Sequence, residues 1–140
     1  GDTEQVVLSE TISKLPASLK NEILSDWYIL RARGKAVIIS LIKYLKAMKI
    51  DVYVMHDKDQ GKKGAEKFNE HIRQALDNNS HLFVLENCIE DVLGYEPPKS
   101  DKPYKAYCYI NENWDKWEDI NDEWRKIIQN IFNGGNKIKF

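Results

Sequence analysis

Val52-Tyr53-Val54-Met55-His56-Asp57-Lys58-Asp59-Gln60-Gly61 is the stretch that decides how this chain is read. The apolar run predicts a buried strand over 51–55, and the Asp-x-Asp pair with its glycine predicts the loop that leaves it. In an open parallel sheet, ligands collect where strands end at their carboxyl side. Two carboxylates there, two residues apart, face the same way and repel each other as bare anions. A divalent cation is the usual resolution, so the stretch points to a Mg²⁺ or Mn²⁺ site acting on phosphates. The competing reading is a turn in which Asp57 or Asp59 caps backbone N–H groups beside Gly61. His56 precedes Asp57 by one residue, so its side chain belongs on the opposite face of the strand.

Outward from this strand the chain alternates. Residues 4–15 carry Val6, Val7, Ile12 and Leu15 at amphipathic spacing and predict a helix that Pro16 ends. A short polar helix follows over 16–24, then a strand over 26–30. Gly34-Lys35 opens a helix over 36–48. After the central strand, residues 64–76 predict an amphipathic helix closed by the turn Asp77-Asn78-Asn79-Ser80. Residues 81–85 predict a short buried strand, and 88–93 a brief helix ended by Gly94. Helix and strand in repeated succession argue for an α/β fold, a parallel sheet flanked by helices. The Pro97–Pro103 stretch marks a loop or boundary. Beyond it, helices are expected over 104–110 and 113–132, with Gly134-Gly135 ending the last one. The expected organisation is a domain over 1–110 and a C-terminal helical extension over 111–140 packed on it.

Bulk composition limits the alternatives. The chain has 140 residues, 42% hydrophobic and 31% charged, as in a globular protein with a substantial core. Its 21 Lys+Arg against 22 Asp+Glu give a net charge of −1. A protein that binds duplex mainly through its own field is normally more basic, so any basic surface is local or comes from another domain. Cys88 and Cys108 stand apart, with no CxxC and no zinc spacing, which suits a reducing cytoplasm. The longest apolar run, 36–42, is too short to span a bilayer.

Several constellations each carry two readings. Gln60-Gly61-Lys62-Lys63-Gly64 offers backbone N–H groups and two lysines to phosphate oxygens, or is simply a solvated approach to a helix. It is not a Walker A loop. Arg33-Gly34-Lys35 places positive charge near a helix N-terminus. Glu86 and Glu90 follow the third strand and, four residues apart, fit one helix face. They are either further acidic ligands or the acidic first turn that helices favour. Trp114, Trp117, Ile120, Trp124, Ile127, Ile128 and Ile131 fall on one face of the last helix. Base stacking is conceivable there, but docking on the sheet or on a second subunit is the stronger reading.

Together these features resemble a Toprim domain. That family combines a compact parallel sheet, an early Glu-Gly at the end of the first strand and a later Asp-x-Asp at the end of another. Gly1-Asp2-Thr3-Glu4-Gln5 resembles the EGxTE start of the overcome-lysogenisation-defect (OLD) family of ATPase-linked nucleases, which includes the Gabija anti-phage nuclease. The following helix, the Gly34-Lys35 junction, Asp57-x-Asp59 and the 85–93 acidic segment fall in matching order over roughly residues 1–110. The resemblance implies a metal-dependent DNA endonuclease domain. Glu4, Asp57 and Asp59 would be Mg²⁺ or Mn²⁺ ligands, with Glu86 or Glu90 filling the further acidic position. Lys102 would face the scissile phosphate, with Lys105 as the alternative. DNA and an N-terminal ABC-type ATPase domain of a parent chain are the implied partners. The family's first strand and the Glu before Gly1 are missing, so the expectation is a C-terminal piece that is weak or inactive alone.

The chemistry asks for such a set. Hydrolysing a phosphodiester calls for cations that generate hydroxide and stabilise the leaving oxygen. Carboxylates hold the cations, and a lysine neutralises charge growing on the phosphate. The competing class is a receiver-like signalling or interaction module with an acidic pocket and no nuclease activity. A receiver places its paired acids after the first strand; here they follow an internal one, which favours the Toprim reading.

Overall fold

A computed structural model describes residues 1–133. The elements run α1 (Asp2–Ser13), α2 (Ala17–Asp26), α3 (Lys35–Ala47), β1 (Val54–Asp57), α4 (Lys63–Glu66) and α5 (Phe68–Leu76), then β2 (Leu82–Leu85), α6 (Ile89–Leu93), α7 (Lys102–Asn113) and α8 (Asp122–Phe132). The fold is mixed α/β and mostly helical, with a small parallel sheet, consistent with a Toprim-like arrangement. Two compact units are formed, one from Gly1–Arg31 with the described residues from Ile89 onward, the other from Ala32–Cys88.

The Ala32–Cys88 unit is a strand–helix–strand crossover. β1 and β2 pair in parallel, with Val54 opposite Leu82 and Asp57 opposite Leu85. Parallel strands need a crossover of a dozen or more residues, and α4 and α5 supply it. Ile42, Val54, Ile72 and Leu76 form the buried centre, flanked by Ile38, Ile39, Val52, Phe68 and Leu82. Lys46 on α3 donates to the carbonyls of Ala75 (3.1 Å) and Leu76 (3.3 Å) at the end of α5. A cation at a helix C-terminus satisfies orphan carbonyls and meets the negative end of the dipole. Asp77 then leaves the helix in a left-handed conformation, φ 53°.

In the other unit, α1, α2, α6, α7 and α8 share a core that includes Val7, Ile12, Ile23, Ile89, Ile110, Trp124 and Ile128. One buried polar chain threads it. Trp124 Nε1 donates to Thr11 Oγ1 at 2.8 Å, and Thr11 Oγ1 donates to the Val7 carbonyl at 2.6 Å. The only polar atom of the indole is thereby satisfied in the interior.

Four expectations are corrected. No strand forms over 26–30: α2 runs on to Asp26, and the Trp27 amide closes its last turn on the Ile23 carbonyl at 2.9 Å. Among the described residues the sheet consists of β1 and β2, residues 27–30 form no ladder, and Tyr28 is 90% exposed. Trp27 instead sets its ring edge-on against Phe132. The central strand begins later than expected and contains Asp57 as its last residue. The 64–76 helix is broken at Lys67, whose amide meets the nearby Ala65 carbonyl and so leaves the regular ladder. The 113–132 helix is also broken. The Asp119 carboxylate accepts from the amides of Asp115 (3.0 Å) and Lys116 (3.1 Å), and a side chain that claims backbone donors in this way competes with the helix. Trp114 and Ile120 are still buried, but from an irregular segment, and Trp117 is only half-buried. The expected terminator Gly134-Gly135 lies outside the described residues.

Candidate active site

Asp57 and Asp59 stand where the sheet ends. Asp57 closes β1, and the pairing continues one step further as the Lys58 amide donates to the Leu85 carbonyl at 2.8 Å. β1 alternates buried and half-buried residues, so His56 turns to the buried face and Asp57 to the other. His56 is 6% exposed, and its Nδ1 lies 2.8 Å from the Asp57 carbonyl. A carbonyl only accepts, so Nδ1 carries the proton in the neutral ring and Nε2 is left as a buried acceptor without a hydrogen-bond partner. Burial holds the His56 pKa below its ordinary value, and Lys35 pushes the same way; the Asp57 carbonyl and Asp59 oppose.

Asp59 sits in the left-handed region at φ 54°, which aspartate tolerates better than most residues. Its side chain is 18% exposed and pairs with two lysines: Lys35 Nζ lies 2.9 Å from Oδ2, and Lys62 Nζ 2.9 Å from Oδ1. Burial raises its pKa, but the hydrogen bonds from Lys62 and Lys35 outweigh this and hold it below the ordinary aspartate value. Lys35 also donates to Asn69 Oδ1 at 2.6 Å, and Asn69 Nδ2 donates to the Lys58 carbonyl at 2.7 Å. Asn69 is thus part of the support for Asp59. Nothing in the linear sequence marks it: it is one polar position on an amphipathic helix ten residues further on.

Two donors of the Gln60–Gly64 loop are already engaged within the chain. The Gly61 amide donates to Glu66 Oε2 at 3.1 Å, and the Lys62 ammonium is engaged by Asp59. Gly61 itself has φ 83°, a conformation that glycine adopts without strain. Glu86 follows Leu85, the register partner of Asp57, and lies in the same unit. Its carboxylate is 76% exposed and pairs with Lys58 at 3.0 Å. It precedes α6, so it does not share a helix face with Glu90.

Glu4, Glu90, Lys102 and Lys105 belong to the other unit. Glu4 is in the first turn of α1, its carboxylate 2.7 Å from the Gly1 amine. Glu90 is 2% exposed on α6, with the Lys102 ammonium 3.8 Å from Oε1. Lys102 opens α7, and Lys105 is exposed on the same helix.

Residues 1–59 match the family model described as overcoming lysogenization defect protein-like, TOPRIM domain. Over this segment the chain is similar to an OLD-like Toprim domain. The match takes in Glu4 and ends on Asp59, so the Asp57-x-Asp59 pair lies inside it. No curated protein and no solved structure gives a significant match. Similarity to an OLD-like Toprim domain supports a nuclease- or primase-type function, and Toprim domains generally bind divalent metals. Among the described residues of the Ala32–Cys88 unit, no three His, Cys, Asp or Glu side chains gather as a metal cage. The donors fit a divalent ion nonetheless. They are hard carboxylate oxygens, and Mg²⁺ is commonly held by one or two carboxylates completed by water and substrate phosphates. Asp59 already attracts two cations. No helix among the described residues is long and apolar enough to cross a membrane.

Proposed function

We propose that this chain is the Toprim part of a Mg²⁺- or Mn²⁺-dependent DNA endonuclease, joined in its parent protein to an ABC-type ATPase domain and serving anti-phage defence in the cytoplasm. One observation carries the reading: the OLD-like Toprim match runs through the acidic pair at the carboxyl end of β1. A metal bound there would activate water and stabilise the leaving oxygen of a phosphodiester. The residues of the chain prepare for it. Asp57 and Asp59 supply oxygen donors, Lys35 and Asn69 hold Asp59, and Glu86 offers a further carboxylate beside the strand pair. Glu4 completes the proposed ligand set, with Glu90 as the alternative to Glu86, and Lys102, or Lys105 as its alternative, is set against phosphate charge.

The domain is proposed to extend over 1–110, with 111–140 as a structural extension. Its net charge of −1 gives little pull on DNA, so the 140-residue chain alone is expected to nick DNA feebly. The test is nicking of supercoiled plasmid by the parent protein with Mn²⁺ or Mg²⁺. The reading expects metal-dependent nicking that Asp57→Ala and Asp59→Ala each abolish. Nicking that survives both substitutions overturns it.

A further inference from the structure

The two lysines on Asp59 differ in kind. Lys35 is sunk into its unit, with its side chain 9% exposed. Its ammonium meets three acceptors: Asp59 Oδ2 at 2.9 Å, Asn69 Oδ1 at 2.6 Å and the Lys58 carbonyl at 3.4 Å. An ammonium has three N–H donors, so all are engaged. Asn69 returns a hydrogen bond to that same carbonyl. Lys35 and Asn69 therefore grip both the side chain of Asp59 and the peptide before it, which fixes a residue standing in a left-handed conformation. Removing one partner from such a buried charged network is costly, because the other is left unpaired.

Lys62 is the opposite case. Its side chain is 74% exposed, and its ammonium pairs with Asp59 Oδ1, the oxygen that Lys35 leaves alone. An exposed ion pair on a long flexible stem holds weakly. One exposed cation thus sits on Asp59, two residues beyond the Asp57 that closes β1.

We propose that Lys35 is a fixed positioning residue and that Lys62 is a displaceable counter-ion, which leaves Asp59 Oδ1 when a divalent cation binds the Asp57–Asp59 pair. This rests on the metal-dependent reading above and adds an order of events to it. Without metal, Lys62 neutralises charge on Asp59 Oδ1. With metal, it is released at the site where phosphate would arrive, while Lys35 keeps Asp59 aimed.

The test uses the 140-residue chain and Mn²⁺ as the probe. The free-ion paramagnetic resonance signal gives the affinity for wild type, Lys62→Gln, Lys35→Gln and Asp59→Asn. The exchange predicts that Lys62→Gln binds Mn²⁺ about 1.5- to 5-fold tighter, the worth of an exposed ion pair. Lys35→Gln, which loses the grip, melts at lower temperature than Lys62→Gln and gains no affinity. Should Lys35→Gln fail to fold, amine-reactive labelling of the wild type read by mass spectrometry replaces it: Mn²⁺ should speed modification of Lys62 and leave Lys35 unmodified. Mn²⁺ binding that Asp59→Asn removes but Lys62→Gln leaves equal or weaker overturns the exchange and keeps the metal reading. No Mn²⁺ binding by wild type overturns both.

Discussion

Replacing Trp124 is the sharpest test of whether the C-terminal tryptophans build the core or read nucleic acid. Trp124 is 0% exposed, and its indole N–H donates to Thr11 in the same unit. A buried tryptophan covers about 150–250 Å², which at about 25 cal/mol per Å² is worth roughly 4–6 kcal/mol as an upper estimate. The residual cavity partly relaxes, and large-to-small aromatic substitutions cost about 3–5 kcal/mol in practice. The predicted loss for Trp124→Ala is therefore about 3–5 kcal/mol, a large share of the 5–15 kcal/mol that folded domains typically possess. Trp124→Phe keeps most of the ring and loses the hydrogen bond, so it should cost about 1–2 kcal/mol. Thr11→Val removes the acceptor and leaves the indole N–H unpaired in the core, for about 1–3 kcal/mol. Trp117→Ala should cost less than Trp124→Ala, because Trp117 keeps part of its surface in water. Urea unfolding followed by circular dichroism, at two protein concentrations, measures all four. Trp124→Ala within about 0.5 kcal/mol of wild type, together with lost DNA binding, would refute the structural assignment and make this surface a stacking platform. A concentration-dependent midpoint would instead place the stripe in a subunit interface.

Other expectations follow from buried and paired ionisable groups. The His56 pKa is depressed in the folded chain, so folding excludes a proton that the unfolded chain accepts near its ordinary 6.5; stability is full above that value and declines as pH falls below it. Urea midpoints between pH 7.5 and 5 should therefore slope downward, and His56→Gln should lessen the slope; an identical slope removes His56 as a cause. Asp59 is likewise held below its ordinary 3.8, so its contribution is complete above that value and fades at more acid pH, a fade that Asp59→Asn should abolish. Glu90 is buried with Lys102 as its charge partner, so Lys102→Met, which strands the carboxylate, should destabilise by about 1–3 kcal/mol more than Glu90→Gln. The reverse order in thermal or urea unfolding would show that the pair does not matter to folding.

The legibility of this chain was uneven, and the reasons are local. Helices with an apolar period and a clear stop could be read. α1 ends before Pro16, α3 follows Gly34, and α6 stops at Gly94, whose amide closes on Glu90. The parallel pairing of β1 with β2 was legible from alternation, because a crossover long enough to hold α4 and α5 separates them. The Trp27–Leu30 segment has strand-like residues but pairs with no strand among the described residues, and propensity carries no information about a partner. The break before α8 depended on Asp119 capturing two amides, a contact set by rotamer rather than by period. At the candidate site, Asp57 and Asp59 were visible as an Asp-x-Asp pair after an apolar run. Their lysine counter-charges were visible only as unspecific basic positions, and the role of Asn69 exists only once α5 is folded against the loop. The roles proposed for Glu4, Lys102 and Lys105 come from the family resemblance, whereas Glu90 could also be read as an acidic residue following the third expected strand.

The central claim is that the acidic pair at the end of β1 holds a divalent metal. Calorimetric titration of Mn²⁺ into the wild-type chain and into Asp57→Ala, with circular dichroism to confirm that both are folded, tests it most directly. The account predicts measurable heat of binding for wild type and strongly weakened or absent binding for Asp57→Ala. Equal Mn²⁺ affinity in the two folded proteins would contradict it.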